Sequence, residues 1–200
     1  MPWVALKYVQ PQHTPKMKQL QYFSIQGKCA PAYWFRNYDS QNFRSVVESI
    51  TLSQALLISS IYRTDLFFFS ESKEDNLKIL KAWHAFKRLP FTNSIMDKFI
   101  RAENRADSLE LYFDTLFNLM HQPAHLARYK ERFRETAQLE SQNLILNDLM
   151  ACDLHLSETY KKEELSHVRL NDKPICQATF LPCKHFSLIA DKGIAEMIYN

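Results

Sequence analysis

The segment Asp39–Phe69, DSQNFRSVVESITLSQALLISSIYRTDLFFF, decides how this chain is read. It contains neither proline nor glycine. Asp39 and Ser40 are good helix N-caps, because their side-chain oxygens accept the orphan N–H groups of a first turn. From there Phe43, Val46, Val47, Ile50, Leu57, Ile58 and Ile61 recur largely at steps of three and four, the period of one helix face. Thr64 and Asp65 interrupt the pattern, and Leu66-Phe67-Phe68-Phe69 then runs without a polar residue up to Ser70. In a short connection between helices, such a run either turns inward as a buried strand-like link or leaves an apolar patch for a partner to cover. Tyr33-Trp34-Phe35, just upstream, presents the same choice.

Working outward toward the C-terminus, Ser72 stands three residues before Asp75 and opens a helix carrying Leu77, Leu80, Trp83 and Phe86, which Pro90 ends. Thr92 caps a following helix with Ile95, Met96 and Phe99, then Leu109, Phe113, Leu116, Phe117 and Met120, with a break at Asn104–Asp107. Pro123, favourable in a first turn, starts another bearing Leu126, Tyr129, Phe133, Ala137 and Leu144 and reaching toward Leu149. After Tyr160 the texture changes. His167–Leu170, Asn171-Asp172-Lys173-Pro174 and Ile175–Leu181 read as strand, turn and strand, and Ile194–Tyr199 as a short last helix. Toward the N-terminus, Pro2, Pro11, Pro15 and Pro31 break any helix, so residues 1–38 read as an ordered arm wrapping the body, with Leu20–Ile25 its one candidate for extended structure.

Composition narrows the functional classes. The 200 residues include two glycines, Gly27 and Gly193, where average usage of about 7% would give roughly fourteen. Glycine supplies positive φ and close backbone approach, so phosphate-cradling loops, nucleophile elbows and dinucleotide turns lack their material. Primed hairpin turns lean on glycine too, which argues against an all-β fold. With 46% hydrophobic and 24% charged residues the chain is an ordinary globular one rather than a disordered one. A formal charge of +3 is too small to imply nucleic-acid binding by itself. Apolar runs are short and Met1-Pro2-Trp3-Val4 has no basic-then-apolar leader pattern, so neither a membrane span nor a secretory signal is expected. Four cysteines do not make a disulfide-dense scaffold, and a cytoplasmic location is the expectation.

Several residues carry possible chemistry. Cys152-Asp153-Leu154-His155 has a two-residue gap suited to one half of a zinc site, with Cys176, Cys183 and His185 about twenty or more residues on. The second half fits poorly, since six residues separate Cys176 from Cys183, and buried apolar cysteines are the plainer reading. His121 and His125 lie four apart but without the glutamate of a metalloprotease helix, and His84 beside Trp83 reads as a core histidine. Arg128, Lys130, Arg132 and Arg134 alternate by two, which spreads charge around a helix instead of concentrating it, whereas Arg101 and Arg105 share a helical face with Lys98 nearby. No nucleophile context is recognisable, so no catalytic residue is expected.

Ile50-Thr51-Leu52, Leu89-Pro90-Phe91-Thr92 ahead of Ile95, Met96 and Phe99, the Asn104–Ser108 entry to an apolar helix, and the late Cys152/His155 and Cys176/Cys183 group together resemble the C subunit of the bacterial flagellar master transcriptional regulator. The likeness spans about residues 48–183 with gaps. It implies a mostly helical DNA-binding regulator with zinc held by Cys152, His155, Cys176 and Cys183. The chain departs from that pattern by offering His155 for a cysteine, by the wider second pair, and by Ala85-Phe86-Lys87-Arg88 where a proline–glycine turn belongs.

The combined expectation is a mainly α protein: a compact multi-helix bundle with an irregular arm (1–38), a helical core (39–155) and a small mixed α/β C-terminal unit (156–200). Its expected role is that of a non-enzymatic cytoplasmic adaptor or assembly subunit with no cofactor, binding one or more proteins in a hetero-oligomeric complex through Trp34, Phe35, Phe67, Phe68 and Phe69. The alternative is the DNA-binding regulator with a degenerate zinc region.

Overall fold

The computed structural model describes residues 17–120 and 122–153. Four strands, β1 (Gln19–Gln26), β2 (Ala55–Ser60), β3 (Arg63–Ser70) and β4 (Ile100–Ala102), form one antiparallel sheet in the order β2-β3-β1-β4. A 3-10 turn (Gly27–Cys29), α1 (Ala30–Tyr33) and α2 (Asn37–Thr51) connect β1 to β2. The stretch from β3 to β4 runs through α3 (Lys73–Phe86) and the short α4 (Asn93–Met96). After β4 come α5 (Arg105–Met120), α6 (Pro123–Leu139) and α7, helical over residues 144–153. β1 and β2 both pair with β3, and β3 and β4 both pair with β1, so β1-α2-β2 and β3-α3-β4 are interleaved βαβ units. This is the β-α-β-β-α-β arrangement of a ferredoxin-like unit.

The mainly α expectation is therefore corrected: this is a mixed α/β fold. Of the apolar steps read as helix beyond Ile50, Leu57 and Ile58 belong to β2 and Ile61 to the turn after it. Ala55 and Leu57 face the α2/α3 layer, while Leu56 and Ile58 face the α5–α7 layer. Helices cover both sheet faces, so every β2 residue is buried and no polar alternation marks the strand. The same holds in β3, where Leu66 and Phe68 point one way and Phe67 and Phe69 the other. The scarcity of glycine did not forbid the hairpin either. Ile61 and Tyr62 make the turn without positive φ. The Ser60 hydroxyl stitches it, donating to the Arg63 carbonyl (3.1 Å) and accepting from the Arg63 N–H (3.2 Å).

Leu20–Ile25, assigned above to a wrapping arm, lies in the inner strand β1, with Tyr22 opposite Phe67 and Phe23 opposite Leu66. Residues 1–16, the C-terminal strand–turn–strand and the Ile194–Tyr199 helix lie outside the described residues. Several local expectations match. Ser72 caps α3 by accepting from the Glu74 N–H at 3.0 Å, and Pro123 opens α6. Asn104 caps α5, its side chain accepting from the Asp107 N–H at 2.9 Å. The helix expected to run on to Leu149 is corrected: α6 ends at Leu139, a break follows at 140–143, and the Asn143 side chain caps a separate α7 by accepting from the Ile145 N–H at 3.0 Å.

Two cores result. On one face Phe23, Phe35, Phe43, Phe68, Ile79, Leu80, Trp83 and Phe99 pack between the sheet and α2/α3. On the other, Tyr22, Leu56, Phe67, Leu109, Tyr112, Tyr129, Ile145 and Leu149 pack against α5, α6 and α7. Each full-sized apolar side chain so buried contributes about 1.5–3 kcal/mol.

Candidate functional site

The densest polar chemistry lies inside the second core. Arg63 and Asp65, two apart on β3, point to the same face of the sheet and are 1% and 0% exposed. Arg63 Nε donates to Asp65 Oδ2 (2.6 Å), and Arg63 Nη2 donates to the Tyr22 hydroxyl (3.1 Å) and the Tyr112 carbonyl (3.3 Å). The hydroxyls of Tyr22 (2.8 Å) and Tyr129 (2.5 Å) donate to Asp65 Oδ1 and Oδ2. With its own proton on Asp65, the Tyr129 hydroxyl is left to accept from that of Tyr112, 3.3 Å away. The guanidinium lies over the rings of Tyr112 and Tyr129, about 5 Å from each centroid.

Burial pushes all three tyrosine hydroxyls above their usual value, and the Asp65 carboxylate adds to this. Burial alone would lower the Arg63 guanidinium, but Asp65 and the surrounding tyrosines reverse the effect and hold it charged. Asp65 thus has three donors, and the tyrosines stay neutral. One guanidinium nitrogen, Arg63 Nη1, has no partner among the described residues. Sealed from solvent and internally paired, the cluster ties β1 and β3 to α5 and α6 and offers a substrate no approach. Sequence reasoning missed it: Arg63 and Asp65 entered only as a break in an apolar run. The signal available was their two-residue spacing, which on a strand puts a cation and an anion on one face.

On the opposite side His84 is buried, as expected. A backbone carbonyl only accepts, so Nδ1 donates to Leu80 O (2.7 Å), and Nε2 is hydrogen-bonded to the Tyr33 hydroxyl at 2.9 Å.

Three of the five sequence-derived contact residues lie in the interior. Phe35, Phe67 and Phe68 are 1%, 0% and 0% exposed and divide between the two cores, so in this fold they present nothing to a partner. Trp34 and Phe69 are half-buried. Of the metal set, Cys152 packs in the apolar second core, where burial pushes its thiol up. His155, Cys176 and Cys183, like His185 and His121, lie outside the described residues, and no metal-holding group of His, Cys, Asp or Glu forms among the described ones. His125 stacks on Tyr62 at 3.6 Å. Arg101 and Arg105 do not share a helix: Arg101 is exposed on β4, while Arg105 opens α5 and pairs with Asp148 at 2.8 Å. No helix among the described residues is long and apolar enough to cross a membrane.

What stays open is asymmetric. The β2 edge is covered by α6, by Asn143 after it, whose Nδ2 donates to Ala55 O (2.9 Å), and by the segment before α2, where the Phe35 N–H donates to Ser59 Oγ (2.9 Å), leaving a small cleft beside Leu57 and Ser59. Beside β4, the other edge, lies an open groove of about 700 Å³ lined by Arg101, Ala102, Glu103, Asn104, Asp107, Glu110, Leu111 and Asp114. No family model matches the chain, and no curated protein matches it either.

Proposed function

We propose that this chain is a non-enzymatic assembly subunit that binds other proteins, with its contact surface at the β4 edge instead of the aromatic runs. One observation carries the reading: both sheet faces and the β2 edge are covered, while β4 borders a groove that no other described element fills. The most strongly perturbed titratable groups sit in the sealed Arg63–Asp65 cluster, which supports a structural part for them. The test is purification of the tagged full chain from its native cells after lysine cross-linking. A stoichiometric protein partner joined at Lys98, two residues before β4, is the expected outcome. A chain that purifies alone overturns the reading.

A DNA-binding role has one observation in its favour. No Asp or Glu occurs in residues 1–38 or 76–96. The described parts of these stretches pack together through Tyr33 on Trp83 and His84, and through Lys87 Nζ donating to Trp34 O. Lys28, Arg36, Lys81 and Arg88 are exposed there, a concentration of charge that suits phosphates. Duplex binding that weakens steeply with salt, and weakens further in Lys28→Gln with Arg88→Gln, is the result this reading requires.

A further inference from the structure

We infer that the β4 edge accepts an extended, basic segment of a partner protein as a fifth strand, in register with the acidic stripe of α5. The inference rests on the assembly-subunit reading above and names the partner's chemistry.

The backbone comes first. β4 pairs with β1 on one side only, through Tyr22–Ala102, Phe23–Arg101 and Ser24–Ile100. Its outward N–H and C=O groups have no partner among the described residues. An unpaired edge is a template for another strand, whose main-chain hydrogen bonds supply affinity while alternate side chains supply specificity.

The side chains then set the chemistry. Ile100 and Ala102 face the α5 layer, and Arg101 faces the other way. A strand added outside β4 therefore turns every second side chain toward α5. The lining of the groove on that side is Asp107, Glu110 and Asp114, at i, i+3 and i+7, with Leu111 between them as an apolar footing. The stripe extends about 10 Å along the helix axis. Alternate residues of a strand lie about 6.7 Å apart, so two or three of them span it. Glu103, two residues beyond Arg101, lies toward α3 instead, where Lys73 reaches it at 3.8 Å. The groove lining includes one cation, Arg101, which lies on the opposite sheet face, and the Asp107 carboxylate also accepts from the Asn104 side chain at 2.6 Å. An added strand with lysine or arginine at alternate positions meets the acids, and its intervening residues take the Arg101 side. A strand carrying Asp or Glu at those positions meets like charge in a shallow groove.

The experiment uses the full chain and the capped peptide Lys-Val-Lys-Val-Lys-Val-Lys, followed by fluorescence anisotropy and by amide hydrogen exchange. The expected result is saturable binding with slowed exchange at residues 100–102. It should weaken about tenfold when alternate peptide amides are N-methylated, which keeps the charge but blocks pairing. It should weaken several-fold in Glu110→Gln with Asp114→Asn, changes at the surface of α5 that leave Asp107 to its cap. Equal binding by the N-methylated peptide, or protection confined to other residues, overturns strand addition. Absence of binding with residues 100–102 already protected in the free chain overturns it as well, by showing that the chain itself or a second copy fills the edge; sedimentation velocity separates those two. A native partner cross-linked far from Lys98, together with no peptide binding, removes this inference and leaves the assembly-subunit reading standing.

Discussion

The two faces of the sheet are held by different physics. The α2/α3 face is aromatic and apolar: Trp83 packs on Phe35, Phe43 and Phe99 with centroids 5.2–5.9 Å apart. Its few polar groups are paired locally, as His84 is with Tyr33, and the Trp83 indole N–H is buried with no acceptor among the described residues. The α5–α7 face contains a comparable apolar core but hangs a buried ion pair and three tyrosine hydroxyls across its middle. Apolar contacts are non-directional and fail by degrees. A buried polar network fails when any one member is lost, because the remaining members keep their desolvation cost.

The sharpest way to break the comparison is Asp65→Asn. It keeps the shape and an acceptor, but strands the Arg63 cation in an interior where it is 1% exposed. A loss of about 3–5 kcal/mol in urea unfolding is expected, the range for removing one partner of a buried pair. Arg63→Met combined with Asp65→Asn should cost less than the two single changes added together, a coupling that a double-mutant cycle reads directly. A loss below about 1 kcal/mol for Asp65→Asn, against that expected range, would mean that the pair does not hold this face.

Alkaline pH tests the same face without mutation. In the unfolded chain the tyrosines release their protons near pH 10. In the folded chain burial holds Tyr22, Tyr112 and Tyr129 well above that value. The folded state therefore keeps protons that the unfolded state gives up. This stability is fully present below about pH 10 and is lost as pH rises further. Above that point the slope approaches about 1.4 kcal/mol per pH unit for each tyrosine. Melts between pH 9 and 11 should show the decline, and Tyr112→Phe with Tyr129→Phe should flatten it.

Trp83→Phe probes the aromatic face, where the effect should be smaller. The substitution removes an N–H that has no acceptor among the described residues and leaves an aromatic ring among aromatic neighbours. About 1–1.5 kcal/mol is expected from lost volume. A larger loss, on the scale of Asp65→Asn, would show that the two faces do not differ as argued.

The parts of this fold legible in the sequence are those whose signal is local. Ser72 and Pro123 mark helix starts through cap chemistry that needs no tertiary context, and α3 shows a helical period between a cap and a stop. What could not be read depends on a neighbour. β2 loses its alternation because helices bury both of its faces, and its leucines fall in phase with the helix before it. β4 is three residues long and takes its conformation from β1. The Arg63–Asp65 cluster draws on β1, β3, α5 and α6, which converge only once the sheet exists. Phe67 and Phe68, legible as unusual, were assigned to the surface because nothing in their own segment indicates that two layers of helix cover them.

The scarcity of glycine leaves its own mark, and it supports the smallest prediction. α3 ends in a Schellman motif: the Arg88 N–H donates to Ala85 O (3.0 Å) and the Leu89 N–H to His84 O (2.9 Å). The motif puts its C′ residue in the left-handed region, where glycine is the usual occupant, yet here Arg88 holds φ 55°. A Cβ in that conformation costs about 1–2 kcal/mol. Arg88→Gly should recover about 1 kcal/mol of it, the remainder being offset by the freedom glycine gains when unfolded. Arg88→Ala removes the same charge and keeps the Cβ, so it should recover none. A gain for glycine alone assigns the strain to the backbone, whereas equal gains in both variants assign it to the positive charge that Arg88 adds beside Lys87, and would make that charge the more important feature of the turn.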